Sequence, residues 1–338
     1  MPQSGITGST LLLTQYGNLP ASSLVDQEFM IWNGAGWSPT TVESRGRHPT
    51  ISVLLNNGVE LMVSLDHEFL VSGGFKTHKK GVKTQLMKRI PARLLKAGKS
   101  LAKFKYPVVS IPDEYQEDYD TDAYSQGFYS GDGNQYSVRS YLYEPKYCCK
   151  DRLVGEVTKV GDGTGNRMNW NHGPMLSKLM VPINGSLQYR LDWLAGILDS
   201  DGSITQDSKS KGLQIVSNDP KFLRDIQQML FGMGVQSKIT LSREERMALL
   251  PDGSGGQKEY LCKKTERVLI SSPDLMKLVK EGLSCSRLDL SGNHPQMDVR
   301  QFVKIERVFA IDALQEVYSV AEKDKSRITV NGIVTSSS

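Results

Sequence analysis

Hydrophobic positions in residues 1–75 recur at every second place within short runs, LLLTQYGNLP, EFMIWNGAGWSPTTV, PTISVLLNNGVELMVSL and EFLVSGG, separated by turn residues. Such alternation marks strands with one face in a core. Asn33-Gly34 and Asn57-Gly58 fall between apolar runs, where positive φ at both central positions makes type I′ hairpin turns cheap. An all-β module is expected. Residues 90–101, IPARLLKAGKSL, suit either a short helix or a strand. From residue 123 the period changes. Helical spacing marks 123–130, 189–200, 220–233 and 273–283, with strand patterns YSVRSYLY, GLQIVS, QSKITLS and ERVLIS between them. Residues 302–334 return to alternation, with Asn331-Gly332 as another turn. The chain reads as a β module interrupted by a mixed α and β module, which a surface loop can accept when the insert's ends lie close together.

A length of 338 residues suits two or three modules, and 38% hydrophobic with 23% charged residues describes a globular chain. No apolar run approaches the roughly 18 residues of a spanning helix. The opening segment lacks the basic region and cleavage site of a secretory signal, so a cytoplasmic protein with no membrane partner is expected. Cys148, Cys149, Cys262 and Cys285 show no C-x-x-C spacing, and buried thiols are expected rather than a zinc knuckle or disulfides. The net charge of +4 permits a polyanionic partner without requiring one. Its distribution says more. Residues 76–105 hold eleven Lys or Arg and no acid, whereas 113–122 hold six acids. That switch sets the expected division: 1–112 and 301–338 as the β module, and 113–300 as the insert, with halves at about 120–185 and 189–300.

One motif occurs twice in the insert: AYSQGFYSGDG over residues 123–133 and WLAGILDSDG over 193–202. Aligned on Asp132 and Asp201, Gly127 matches Gly196 and Gly131 matches Ser200. Each copy predicts an apolar helix ending in aspartate and a helix-stopping glycine. A glycine four residues before a small residue gives a smooth stripe on which two helices can pack closely, bringing the aspartates together. Like charges so close raise one another's pKa unless a divalent cation lies between them. Mg²⁺ suits two carboxylates completed by water and phosphate oxygens, the ligand set of two-metal phosphodiester hydrolysis. One Asp-Gly is an ordinary turn; two on matched helices are not.

These motifs resemble the signature of LAGLIDADG homing endonucleases, with SQGFYSGDG as a diverged first copy. The resemblance implies pseudo-twofold αββαββα repeats in an α+β domain, saddle-shaped sheets in the DNA major groove, and Mg²⁺-dependent cutting of both strands of a long asymmetric site. It also implies a basic residue near the site in each half, here Lys178 and Arg287, for charge stabilisation or polarisation of water. Arg in place of Lys keeps the charge but makes base chemistry doubtful. Candidate DNA contacts are Arg139, Lys146, Lys150 and Arg152 in the first half, Lys209, Lys211, Lys238, Lys263 and Lys264 in the second, and Lys79, Lys80, Lys83, Lys88 and Arg89 in the basic stretch.

The flanks resemble the all-β HINT (horseshoe) splicing domain of inteins, through ITGST over 6–10, GVELMVSLDH over 58–67, and the segments 317–319 and 331–334. Tryptophan-glycine turns resemble those of inteins in ribonucleotide reductase hosts. This implies an N-terminal thiol or hydroxyl nucleophile, a histidine that protonates the scissile amide and a C-terminal asparagine that cyclises. The matching positions hold Gly5, Ser64 for Thr, His67, Ser319 for Asp, Ser336 for the penultimate His, Ser337 for Asn and Ser338 after the junction. Ser4 lies one residue before the expected nucleophile. Splicing is expected to be disabled at both junctions. The expected function is a monomeric site-specific DNA endonuclease, with double-stranded DNA and a host extein protein as partners. The alternatives are an autoprocessing intein with an inactive nuclease, or a LAGLIDADG protein that binds nucleic acid without cutting.

Overall fold

A computed structural model describes residues 4–78, 83–134, 136–160, 167–173, 176–207, 210–251, 256–293 and 303–337. The chain divides into two compact units, one of residues 1–117, 230–236 and 298–338, the other of 118–229 and 237–297.

The first unit is β-rich. Its sheet runs in the order Ile305–Val320, Ile6–Thr7, Glu60–Ser64, Trp37–Leu55, Glu28–Trp32, Leu11–Thr14, Arg327–Val330, Ile333–Ser336, Glu68–Thr77 and Lys83–Pro91. Early and late segments pair directly, Ile6 with Tyr318, Leu12 with Val330 and Phe69 with Thr335. Ile6, Leu12, Ile31, Val53, Leu61, Phe69 and Val330 fill the core. The three Asn-Gly turns differ from one another. Positive φ at both positions occurs only at Asn331 and Gly332; at the other two only Gly34 and Gly58 are left-handed. There the asparagine turns the chain with its side chain instead: Asn33 Oδ1 accepts from the Ala35 and Gly36 amides, and Asn57 Oδ1 from Val59. Residues 90–101 are no regular element: the strand ends at Pro91 and a 3₁₀ turn follows over Ala92–Leu94.

The second unit carries four helices among the described residues, α1 (Ala123–Asp132), α2 (Leu187–Asp201), α3 (Pro220–Gly232, the end of which lies in the first unit) and α4 (Ser272–Lys280). Asp122 and Ser186 cap α1 and α2, accepting from the Ser125 and Tyr189 amides. A four-stranded sheet, Gly202–Asp207, Ser210–Ser217, Thr265–Ile270 and Lys238–Arg243, buries Leu213, Ile215, Val268 and Ile270 on one face. With α2, α3 and α4 it forms an αββαββα order, interrupted by the hairpin Arg246–Pro251 and Gln257–Cys262. The first half differs. After α1 it has the strand Arg139–Leu142, a 3₁₀ stretch Glu144–Arg152 and the strands Glu156–Val160 and Met168–Asn171, with no further helix among the described residues. The segment between Asp132 and Ser186 is too short for the full order.

Candidate active site

The glycines of the repeated motif put α1 and α2 in backbone contact. A Cβ built on Gly127 would stand 2.0 Å from Trp193 O, and one on Gly196 2.1 Å from Tyr124 O. At the lower end, a Cβ on Gly131 would meet Ser200 Oγ at 2.2 Å and Asp201 Cγ at 3.0 Å. Asp132 and Asp201 are the last residues of the two helices. The glycines that follow are extended, with φ of -69° at Gly133 and -75° at Gly202. Space rather than left-handed backbone demands them: a Cβ would stand 2.3 Å from Tyr129 O or 2.6 Å from Leu198 Cα.

Charge is concentrated at this end of the pair. Lys146 Nζ lies 2.5 Å from Asp132 Oδ2. Asp201 keeps an exposed edge, yet packing around its carboxyl raises its pKa, and the Asp132 charge adds to the rise while Lys146, Lys178 and Arg287 oppose it. Lys178 Nζ donates to Gly131 O at 2.5 Å and Tyr129 O at 3.3 Å, at the end of α1. Burial lowers its pKa, against the pull of Asp201 and Asp132. Arg287 does the matching work on α2, donating to Asp199 O and Gly202 O at 2.6 Å and Leu198 O at 2.7 Å. Tyr129 and Leu198 are aligned positions of the repeat, so the two basic residues fasten equivalent carbonyls. A pocket of about 570 Å³ opens here, lined by Gly131, Lys178, Asp201, Arg243, Lys263 and Thr265 among others.

Two features escape the sequence reading. Asp199, fully buried, accepts from Tyr124 Oη at 2.8 Å and from the Ser286 and Arg287 amides at 2.7 and 2.9 Å, holding the loop that carries Arg287. On the open face of the four-stranded sheet, Arg267 donates to Gln214 Oε1 at 3.0 Å, and Gln214 donates to Ser203 Oγ at 2.9 Å. Neither has a local sequence signal.

The expected DNA contacts scatter. Arg139 is exposed on its strand, and Lys238 half-buried on another. Lys146, Lys150 and Arg152 lie on the 3₁₀ stretch rather than on a strand, because Pro145 opens a tight turn there. Of these, Lys150 is exposed, Lys146 holds Asp132, and Arg152 is tied to Ser284 O, Asp192 and the Tyr124 ring. Lys211 donates to Asp289 and Ser291, and Lys264 pairs with Glu266, whereas Lys263 faces the pocket. Lys83 and Lys88 are exposed on the strand Lys83–Pro91, and Arg89 pairs with Glu68 at 3.7 Å. Lys79, Lys80 and Lys209 lie outside the described residues.

In the β unit His67 is fully buried. Its Nδ1 lies 3.2 Å from Ser4 Oγ and its Nε2 3.1 Å from Thr335 Oγ1. Burial pushes it down to about 4, so it is neutral at pH 7. The Gly5 amide donates to Ser64 Oγ at 2.8 Å. Ser336 Oγ donates to Glu68, Ser337 Oγ to Glu322 O, and Ser319 Oγ accepts from Arg45. Ser338 lies outside the described residues.

The donor set at the helix ends fits Mg²⁺. It offers two carboxylates and no soft ligand, and among the described residues no group of three His, Cys, Asp or Glu forms a complete protein cage, leaving positions for water and phosphate. Among the described residues no helix is long and apolar enough to cross a membrane.

Residues 188–281 match the LAGLIDADG-like domain. Over 98% of its length the chain is similar to the large subunit of ribonucleoside-diphosphate reductase of Invertebrate iridescent virus 6, with 32% identity across 341 residues. It covers 35% of that protein, so the chain spans about a third of its relative's length. Among solved structures, a variant of the Ssp DnaB mini-intein covers 99% of both chains at 9% identity and a TM-score of 0.31. Mesophilic variants of the homing endonuclease I-DmoI match 52% of this chain and 93% of their own at 15% identity and a TM-score of 0.30.

Proposed function

We propose that this chain, which carries a LAGLIDADG-like domain within a β-rich frame of the intein kind, is a site-specific DNA endonuclease whose splicing junctions are disabled. What carries the reading is the backbone contact at Gly127 and Gly196, which sets Asp132 and Asp201 at neighbouring helix ends beside a basic pocket. Those two carboxylates would hold Mg²⁺, which when bound supplies an activated water and stabilises the leaving oxygen.

The chain's own groups do the rest. Arg243 and Lys263 give the pocket wall positive charge for a phosphodiester. Lys178, its pKa lowered, keeps a cation near the carboxylates and fastens α1. Arg287 fastens α2 through three carbonyls, which makes it a positioning residue. The open sheet face with Ser203, Gln214 and Arg267 presents donors and acceptors held in a fixed arrangement, which suits reading base edges. Both carboxylates come from one chain, so a monomer suffices. The similarity over nearly the full chain to part of a ribonucleotide reductase supports a host extein of that kind, and with such a host we infer cytoplasmic residence.

Splicing needs a first nucleophile and a cyclising asparagine; Gly5 and Ser337 supply neither. The decisive experiment incubates the chain and Asp201→Asn with a plasmid carrying the uninterrupted reductase gene and Mg²⁺. Cleavage by the parent and retained binding without cleavage by Asp201→Asn are expected. Equal cutting by both refutes the metal assignment.

A further inference from the structure

The two carboxylates at the helix ends are not equivalent. Asp132 is already held by Lys146 at 2.5 Å, and the two side chains are shielded to 19% and 20% exposure. Among the described residues no ion pair forms on Asp201. The repeat offers no counterpart, because the place of Lys146 counted from the motif aspartate falls in the second copy on Ile215, a buried core residue. Nor does another cation substitute for it. Lys178 and Arg287 direct their donors to main-chain carbonyls. Lys146 reaches the site from the 3₁₀ stretch Glu144–Arg152, which has no equivalent among the described residues of the second half.

An ammonium at hydrogen-bond distance from a carboxylate oxygen stands where an oxygen-seeking divalent cation would bind. A metal that takes this oxygen must first remove the ammonium, and shielding from solvent makes that removal harder than at an exposed pair. Asp201 presents no such obstacle.

We propose that Lys146 acts as a built-in counter-ion on the Asp132 half of the metal site, so that divalent cations enter at Asp201 first and reach Asp132 Oδ2 only by displacing Lys146. The inference rests on Asp132 and Asp201 being metal ligands, and it goes further by ordering the two. The displaced ammonium stays tethered beside the carboxylates, where an incoming DNA phosphate is its natural partner. Metal loading at Asp132 and DNA binding therefore favour one another.

The test is calorimetric titration of the full chain with Ca²⁺ alone, without DNA. Lys146→Met keeps the aliphatic stem and removes the charge; it should tighten Ca²⁺ binding about tenfold. The gain should vanish in Asp132→Asn/Lys146→Met, and Lys146→Arg, which keeps a cation, should stay near the parent. Lys146→Gln gives the same readout should the Met variant fail to fold. Unchanged Ca²⁺ affinity in a Lys146 variant that melts like the parent overturns the proposal, as does an equal gain in the double variant. A parent that binds Ca²⁺ through Asp201 with no response to Lys146 removes this inference alone. Absence of Ca²⁺ binding by the parent and by every variant removes the metal reading with it.

Discussion

Gly127 and Trp193 meet backbone to backbone, leaving no room for even a methyl group: a Cβ on Gly127 would stand 2.0 Å from the Trp193 carbonyl. Gly127→Ala must push α1 and α2 apart, and since the neighbour is main chain it cannot rotate away. The expected cost is about 1–3 kcal/mol, read as an earlier melt of the helical unit. DNA cleavage should fall by more than that loss of stability explains, because the separation also moves Asp132 from Asp201. A variant that melts and cuts like the parent would contradict the close approach.

The helix pair is legible in the sequence because its signal is local: glycine, small residue and aspartate at fixed spacing, stated twice. The partners of the site are not. In sequence Lys146 is one more surface cation, and only the fold of its 3₁₀ stretch turns it onto Asp132. Asp199 sits inside the motif, but its donors Ser286 and Arg287 come from a loop far along the chain, so no pattern announces it. The same limit applies to Asn33 and Asn57, where the Asn-Gly pair marks a turn but does not tell whether backbone or side chain makes it.

Asp199→Asn replaces one carboxylate oxygen with an amide donor, facing two backbone N–H groups and the Tyr124 hydroxyl that all donate toward it. At least one pairing becomes donor against donor, at about 1–3 kcal/mol. The loop carrying Arg287 should loosen. Faster amide exchange at Ser286 and Arg287, with α1 exchange near that of the parent, is the expected result.

Acid should weaken the β unit in two steps. His67 is held down to about 4 by burial, below an unfolded value near 6.5. Unfolding therefore takes up a proton as pH falls from 6.5 toward 4, and stability drops in that window. Although burial raises Glu322, hydrogen bonds from Asn33 Nδ2 and the Arg327 and Lys325 amides outweigh it and bring the carboxyl to about 2. Its contribution is present above the unfolded carboxylate range and is lost as pH drops toward 2. Denaturant melts of the parent and His67→Gln at stepped pH check this. The variant should lose the slope between 6.5 and 4 and keep the lower one.

Restoring the junctions tests the splicing reading. Gly5→Cys with Ser337→Asn should yield some ligated product in a fusion with flanking sequences, and the parent none. The yield should be modest, since a Cβ at position 5 stands 3.1 Å from Tyr318 O and 3.2 Å from Val317 Cβ, so neighbours must shift slightly. Ligation by the parent would show that another group serves as nucleophile.

Lys83 and Lys88 stand exposed on a strand free of acidic neighbours in sequence. Changing both to Gln should reduce the slope of log affinity against log salt by about 0.9 for each phosphate that is no longer neutralised. An unchanged slope assigns them to solvent.

Ile6 pairs with Tyr318, and Leu12 with Val330. These partners lie far apart in sequence, so a ribosome delivers Ile6 and Leu12 long before Tyr318 and Val330, and the early strands must wait, unsatisfied along one edge, until the late ones have emerged. The helical insert, whose contacts are complete before then, can assemble first and hold the waiting strands on a shortened tether. Closure of the β sheet is thus timed by translation itself.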